Sequence, residues 1–389
     1  MSDSKPGFDR TLLTRRAAER LQHFRSYVVK HKRLTDLDKQ ITAALDEPAG
    51  AGFMFVVGPT GIGKSTVRDV IFRRVINQAM AEMQTDPGYI PIAGIEVIAS
   101  GHKSYNWHDH WTRALDAIEE PLIKHKSLPR RSKIDRLTSG ARLREQTAAL
   151  RRSFEIGSRM RRLRAFMLDE AQHLTHVPAT LLRYQLETVK SVANLSKALH
   201  VLFGTYELLL LRNASGQLGR RAVTVHFDRY QAKSDQDIVA FAEVVQSFQL
   251  QMPLPEKPDL LPHLEYCFER SLGCVGVLKD WFSRALSEAI NKKAKTLTVA
   301  DLRRHELPPS VLLAMSAEFM DGEKRLFEED AAFALIKERL GIHARQRKPT
   351  QRVATQEDGK AKKPKRGFGR RSPKRDKVGA GRNATTQPE

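Results

Sequence analysis

The 389-residue chain predicts an α/β fold, an open parallel sheet with crossover helices, followed by an all-helical segment and a basic tail. Three observations carry that expectation. Short apolar, β-rich runs recur at Phe53–Val57, Ile92–Ile98, Ala165–Leu168, His200–Phe203 and Val223–Phe227, separated by longer amphipathic stretches, the rhythm of strands alternating with helices. After Asp235 the pattern turns helical, with bodies at Ile238–Phe248, Leu260–Leu272 and Gly276–Ile290, then Thr298-Val299-Ala300-Asp301 as a helix-start capping signature. From Gly341 onward Lys, Arg, Gly, Pro, Thr and Gln displace the large apolar residues, a composition that cannot bury enough surface to fold.

Taken in order, residues 1–29 read as a helical N-terminal extension, 30–235 as the α/β domain, 236–310 as a helical lid and 311–342 as a further helix. The body of that last helix is expected at Glu323–Leu340, with an apolar face offered to a partner. Residues 343–389 read as a disordered basic tail, and no internal repeat is visible.

The first strand ends in Gly58-Pro59-Thr60-Gly61-Ile62-Gly63-Lys64-Ser65-Thr66, a phosphate-binding loop between a buried strand and a helix. Its glycines let backbone N–H groups wrap a polyphosphate, Lys64 reaches the β- and γ-phosphates, and the Ser65 hydroxyl suits Mg²⁺. Those parts fit ATP. The third strand ends in Asp169-Glu170, a hydrophobic run delivering adjacent carboxylates: Asp169 to hold Mg²⁺ through water and Glu170 to polarise the attacking water. The fourth strand ends at Thr205, which either senses the γ-phosphate or caps a turn. Arg220 and Arg221 precede the fifth strand, where an arginine either projects to the γ-phosphate of a neighbouring subunit or forms a surface ion pair.

A net charge of +21 and a pI near 10.1 point to a polyanionic partner, nucleic acid first, over the bland reading of solvated helix charge. Residues 345–389 hold fifteen basic side chains against four acidic ones, +11 of that total, enough to hold phosphates through counterion release without reading sequence. A second basic region runs from Lys124 to Arg164. There Leu143, Ala148, Leu150, Phe154 and Met160 are expected to form an inward stripe, leaving the arginines on either a solvated or a DNA-facing surface. Trp107, His108, His110 and Trp111, at helical spacing, read as packing rather than as a metal or stacking site. His173 and His176 have no matching ligand set for zinc. Two cysteines, Cys267 and Cys274, suit a reducing compartment. With no signal-like start and no bilayer-spanning apolar run, the expectation is a soluble, cytoplasmic protein with no membrane partner.

The loop Gly58–Ser65, the run Asp169-Glu170-Ala171-Gln172-His173, Thr205, Arg220/Arg221 and the helical lid together resemble an AAA+ ATPase. The Asp-Glu-Ala-Gln-His form, the lid segment Ser271–Leu278 and the lead-in Tyr27-Val28-Val29-Lys30-His31 are similar to the TnsC/TniB group of transposition regulators, over about residues 25 to 300. The resemblance implies an AAA+ P-loop NTPase sheet with a C-terminal helical lid. It implies an ATP- and Mg²⁺-dependent protein that forms homo-oligomeric rings or filaments on double-stranded DNA, works with a target-selection protein and recruits or activates a transposase. It also places DNA contacts near Ser100–Ser104, with Lys103 as the candidate. One departure concerns the lid, where such ATPases often carry an arginine near the position of Gly276; here the nearest cation is Lys279. Asp169-Glu170-Ala171 also resembles a superfamily-two helicase, which needs a second α/β lobe where this chain turns helical. A replication initiator or helicase loader of the AAA+ superfamily would carry a DNA-binding domain after the lid, and no recognition helix is evident between Glu306 and Leu340. A nucleotide-gated scaffold without a hydrolytic cycle is the non-enzymatic alternative.

Overall fold

Strands β1 (Phe53–Val57), β2 (Ile92–Glu96), β3 (Ala165–Asp169), β4 (Leu199–Gly204) and β5 (Ala222–His226) form one parallel sheet ordered β2-β3-β4-β1-β5. The computed structural model describes residues 7–46, 52–101, 104–126, 139–214, 222–327 and 329–342. All five strands fall where the apolar runs predicted them, with shifts of one or two residues at the ends. Their registers are aligned: Val57 lies opposite Gly204 and His226, and Leu168 opposite Leu202. The carboxyl ends of β1, β3 and β4 therefore terminate side by side, and the loops that follow them meet on one edge of the sheet.

Both faces of the central strands β1, β3 and β4 are covered, which is why these read as continuous apolar runs, while the edge strands β2 and β5 are partly exposed. Phe53, Phe55, Phe166 and Leu202 face one core. That core is filled by α4 (Trp107–Ala117), α6 (Ser139–Met160) and α7 (Ala179–Ser196), with the short α5 (Ile123–Lys126) between the first two; α1 (Ala17–Ser26), α2 (Lys32–Asp46) and α3 (Lys64–Thr85) precede them in the chain. Met54, Val56, Met167, Val201 and Phe203 face the opposite core with Ile41 of α2 and Val67 and Ile71 of α3. The period-2 alternation along β1 thus sorts its residues between two cores.

A short α8 (Leu208–Asn213) follows β4. The helical bundle is α9 (Asp235–Leu250), α10 (Leu264–Ser271), α11 (Val275–Asn291) and α12 (Val299–Arg303). Its core joins Phe241, Phe248, Leu278, Trp281 and Phe282 to Phe24 of α1, so the N-terminal extension packs against the lid. The capping signature at Thr298 is a complete capping box: Thr298 accepts from the Asp301 N–H, and the Asp301 carboxylate accepts from the Thr298 N–H.

Three expectations need correction. The helix assigned to Glu323–Leu340 is two helices, α13 (Pro309–Phe327) and α14 (Glu329–Arg339). Pro309 at the first helical position, where its missing N–H costs nothing, marks the earlier start. Buried Phe319 inserts into the sheet core, and Glu323 pairs with Arg229, so α13 is bound to its own chain; exposed Leu335 and Ile336 lie on α14, and exposed Leu340 just after it. In the basic region, Leu150 and Phe154 point inward as expected, whereas Leu143, Ala148 and Met160 are exposed. The span expected as one helix at Leu260–Leu272 is a 3-10 turn, Leu261–His263, leading into α10. The chain divides into two units, Met1–Phe333 and Ala334–Glu389, and the sheet and bundle both belong to the first. No helix among the described residues is long and apolar enough to cross a membrane.

Candidate functional site

The loop Gly58–Ser65 turns out of β1 directly into α3. Gly63 caps that helix at φ 108°, a left-handed conformation that glycine adopts without steric cost, and it points the free N–H groups of the first turn into the loop. Lys64 is buried, and its ammonium donates to the carbonyls of Gly58 (3.1 Å) and Pro59 (2.8 Å). Burial pulls its pKa down to about 8, against the opposing pull of the Glu170 and Asp169 carboxylates. Lys64 is thus folded back on its own loop.

Asp169 ends β3, buried beneath the loop. Its Oδ1 accepts the Glu170 N–H at 3.0 Å, and its Oδ2 accepts from Arg68 of α3 at 2.6 Å. Glu170 sits at φ 50°, ψ 34°, left-handed for a residue with a Cβ, which costs about 1–2 kcal/mol. Its Oε2 accepts from the Gln172 amide at 2.5 Å, and the other end of that amide accepts the Thr205 N–H at 3.2 Å. Gln172 therefore bridges the end of β3 to the end of β4, fixing the Glu170 carboxylate relative to Thr205.

The lid closes the opposite side. Val277 of α11 donates its N–H to the Gly61 carbonyl at 2.9 Å, and a Cβ on Gly276 would lie 2.3 Å from that same oxygen. Only glycine permits this approach of lid to loop. Between them opens a cavity of about 490 Å³ lined by Thr60, Lys64, Ser65, Glu170, Thr205, Lys279 and Arg284 among others. Its size is that of a small-molecule site. The exposed Ser65 hydroxyl and the Asp169 carboxylate supply the few hard oxygen donors that magnesium takes when nucleotide phosphates and waters complete its shell, so the donor set suits that ion.

The structure thus brings Gly58–Thr66, Asp169, Glu170 and Thr205 to one place. Arg220, Arg221, Lys103 and the tail lie outside the described residues. Lys279 does line the cavity, though its ammonium donates to the Arg25 carbonyl at 2.7 Å. Sequence reasoning missed Arg284, which lines the cavity two turns after Gly276; Gly276, Asp280 and Arg284 recur at i, i+4 and i+8, one helix face. It also missed Arg25, Arg68 and the bridging role of Gln172. Elsewhere, buried His110 bonds Tyr105 at 2.9 Å and Trp111 packs in the core, while His176 meets Glu207 at 2.9 Å and His173 at 3.3 Å.

Residues 46–211 match the family model of the AAA domain. No curated protein matches the sequence. Among solved structures, the chain is similar to the ORC2 protein of Aeropyrum pernix in its ADP form, at 13% identity and TM-score 0.48, over 73% of this chain and 71% of that one. It is similar to Cdc6p of Pyrobaculum aerophilum, at 16% identity and TM-score 0.46, over 77% and 71%. It is also similar to domain III of the replication initiation protein DnaA of Thermotoga maritima, at 13% identity and TM-score 0.41, over 73% and 97%. At these values the likeness carries no functional argument. The family match, the parallel sheet and the phosphate-binding loop agree: residues 46–211 match the AAA domain, and the chain carries the AAA+ P-loop fold.

Proposed function

We propose that the protein is an ATP-hydrolysing AAA+ regulator of DNA transposition that assembles on double-stranded DNA and recruits or activates a transposase. The observation that carries the ATPase part is the convergence of Lys64, Ser65, Glu170 and Thr205 on one cavity under the lid, with Asp169 buried next to Glu170 at the end of the same strand. Lys64 releases the Gly58 and Pro59 carbonyls and pairs with the β- and γ-phosphates, whose charge restores its full basicity. Ser65 and Asp169 would hold Mg²⁺, which would supply charge neutralisation on the phosphates. Glu170, held by Gln172, takes the proton of the attacking water, and Thr205 orients that water or the γ-phosphate. Arg220 or Arg221 of a neighbouring copy stabilises the charge that develops, coupling turnover to assembly.

The DNA part rests on the net charge of +21, concentrated in the tail and the Lys124–Arg164 region, and on Lys103. The transposition reading rests on the Asp169–His173 run, the lid segment Ser271–Leu278 and the lead-in Tyr27–His31. Electron microscopy of the protein with duplex DNA of arbitrary sequence, in a non-hydrolysable ATP analogue or in ADP, tests it. Rings or helical filaments only with the analogue are expected. Discrete particles off DNA, or the same disordered binding in both nucleotides, would contradict the reading and favour an initiator, a loader or a scaffold.

A further inference from the structure

Arg68 stands one turn into α3 beyond the phosphate-binding loop and is bonded to two carboxylates at once. One guanidinium nitrogen donates to Asp169 Oδ2 at 2.6 Å; the opposite edge donates twice to Asp69 Oδ1, from Nε at 2.9 Å and from Nη2 at 2.7 Å. The two partners differ sharply in surroundings: the Asp169 side chain is 4% exposed and that of Asp69 is 53% exposed. Both Asp169 oxygens are engaged, Oδ1 by the Glu170 N–H and Oδ2 by Arg68. The carboxylate read above as the metal-side acid is therefore already neutralised by a resident cation.

We propose that Arg68 is a displaceable counter-ion for the metal site: it holds Asp169 while the site lacks metal and swings to Asp69 alone when magnesium-nucleotide is bound. Two features make the exchange inexpensive. A buried carboxylate stripped of its partner is costly, so a site that spends part of its cycle without metal needs a substitute cation. The guanidinium keeps its double contact to Asp69 after releasing Asp169, so it is never left unpaired, and Asp69 is already in water. The consequence is a metal requirement set by competition. Arg68 opposes magnesium at Asp169 by occupying Oδ2 and by placing a positive charge beside the ion's position, while favouring the entry of nucleotide that carries no metal. This inference rests on the nucleotide-site reading and names a positioning residue for it, not a catalytic one.

The test is a magnesium titration of the binding of a fluorescent ATP analogue to the full chain, in wild type and in the variants Arg68→Gln, Arg68→Lys and Asp69→Asn. Arg68→Gln is expected to lower the magnesium concentration at half-saturation about tenfold, as for loss of one charge-assisted hydrogen bond, and to weaken metal-free binding several-fold. Arg68→Lys, which keeps the charge and loses the fork, should fall between the two and guards against a folding defect in the glutamine variant. Asp69→Asn, which removes the second partner, should move half-saturation the other way. A purely structural ion pair would instead lower thermal stability and leave the magnesium dependence in place. Half-saturation within twofold of wild type in both Arg68 variants overturns the proposal while leaving the nucleotide site intact; a wild-type chain that binds no nucleotide at any magnesium concentration overturns both.

Discussion

The floor of the cavity is made by the sheet and its roof by the helical bundle, and the two are secured in different ways. Gly58, Glu170 and Thr205 come together because three parallel strands end in register, an arrangement held by the ladder bonds of β1, β3 and β4 and by cores on both faces. The roof reaches the loop through the Val277 N–H to the Gly61 carbonyl and the close packing of Gly276, while Lys279 ties it to the N-terminal extension at the Arg25 carbonyl. A floor set by the ladder is preorganised for chemistry. A roof joined to the floor by side-chain packing and loop bonds, with Cys274 and Val277 in the sheet core but no strand ladder, is the part expected to answer the nucleotide.

Breaking the floor should have the largest effect. Lys64→Ala removes the lysine of the phosphate-binding loop, and nucleotide affinity measured by calorimetry should fall about a hundredfold, with the fold retained. Breaking the roof should cost less: Gly276→Val drives a Cβ against the Gly61 carbonyl, which should undock α11, lower thermal stability and weaken nucleotide about tenfold. If Gly276→Val costs as much as Lys64→Ala, the division between a rigid floor and a responsive roof is wrong.

The pH dependence sharpens the same contrast. Lys64 of the free protein deprotonates near pH 8, well below an ordinary lysine, because it is buried. The ammonium pairs with phosphate far more strongly than the neutral amine, so affinity should be level below pH 8 and decline above it by up to about tenfold per unit, levelling off where the phosphate-paired Lys64 itself deprotonates. In Lys64→Ala that decline should vanish, and in Gly276→Val it should persist. The smallest effect is expected from Gln172→Ala, which frees Glu170 from Thr205: turnover should drop several-fold with binding nearly unchanged.

The floor was legible in the sequence and much of the roof was not, for physical reasons. Apolar runs ending in Gly-rich or acidic residues announce strands and their carboxyl-end loops, because a doubly covered parallel strand must be apolar throughout. The pairing order of those strands, and hence the neighbourhood of Glu170 and Thr205, is tertiary. Arg68 and Arg25 were invisible for the same reason: Arg68 reaches Asp169 across 101 positions, and Arg25 lines the cavity only because Phe24 beside it is buried in the bundle core. Arg284 had a local signal, the i, i+4, i+8 spacing from Gly276, but an arginine two turns into a helix reads equally as solvated charge. The start of α13 was missed because its apolar residues do not keep to one face, Leu312 and Phe319 being buried while Val311, Leu313 and Met320 are exposed, and the proline at its head marks the boundary.

The most direct measurement of the central claim is ATP turnover set beside ATP binding for wild type and Glu170→Gln. The carboxylate is held in place by Gln172 and the backbone is already committed to its left-handed turn, so the amide should preserve the cavity. Binding within about threefold of wild type with turnover reduced by at least a hundredfold is the predicted result, the scale of losing a positioned general base. Turnover equal to that of wild type would contradict the assignment of Glu170 and, with it, the account of this cavity as a site of ATP hydrolysis.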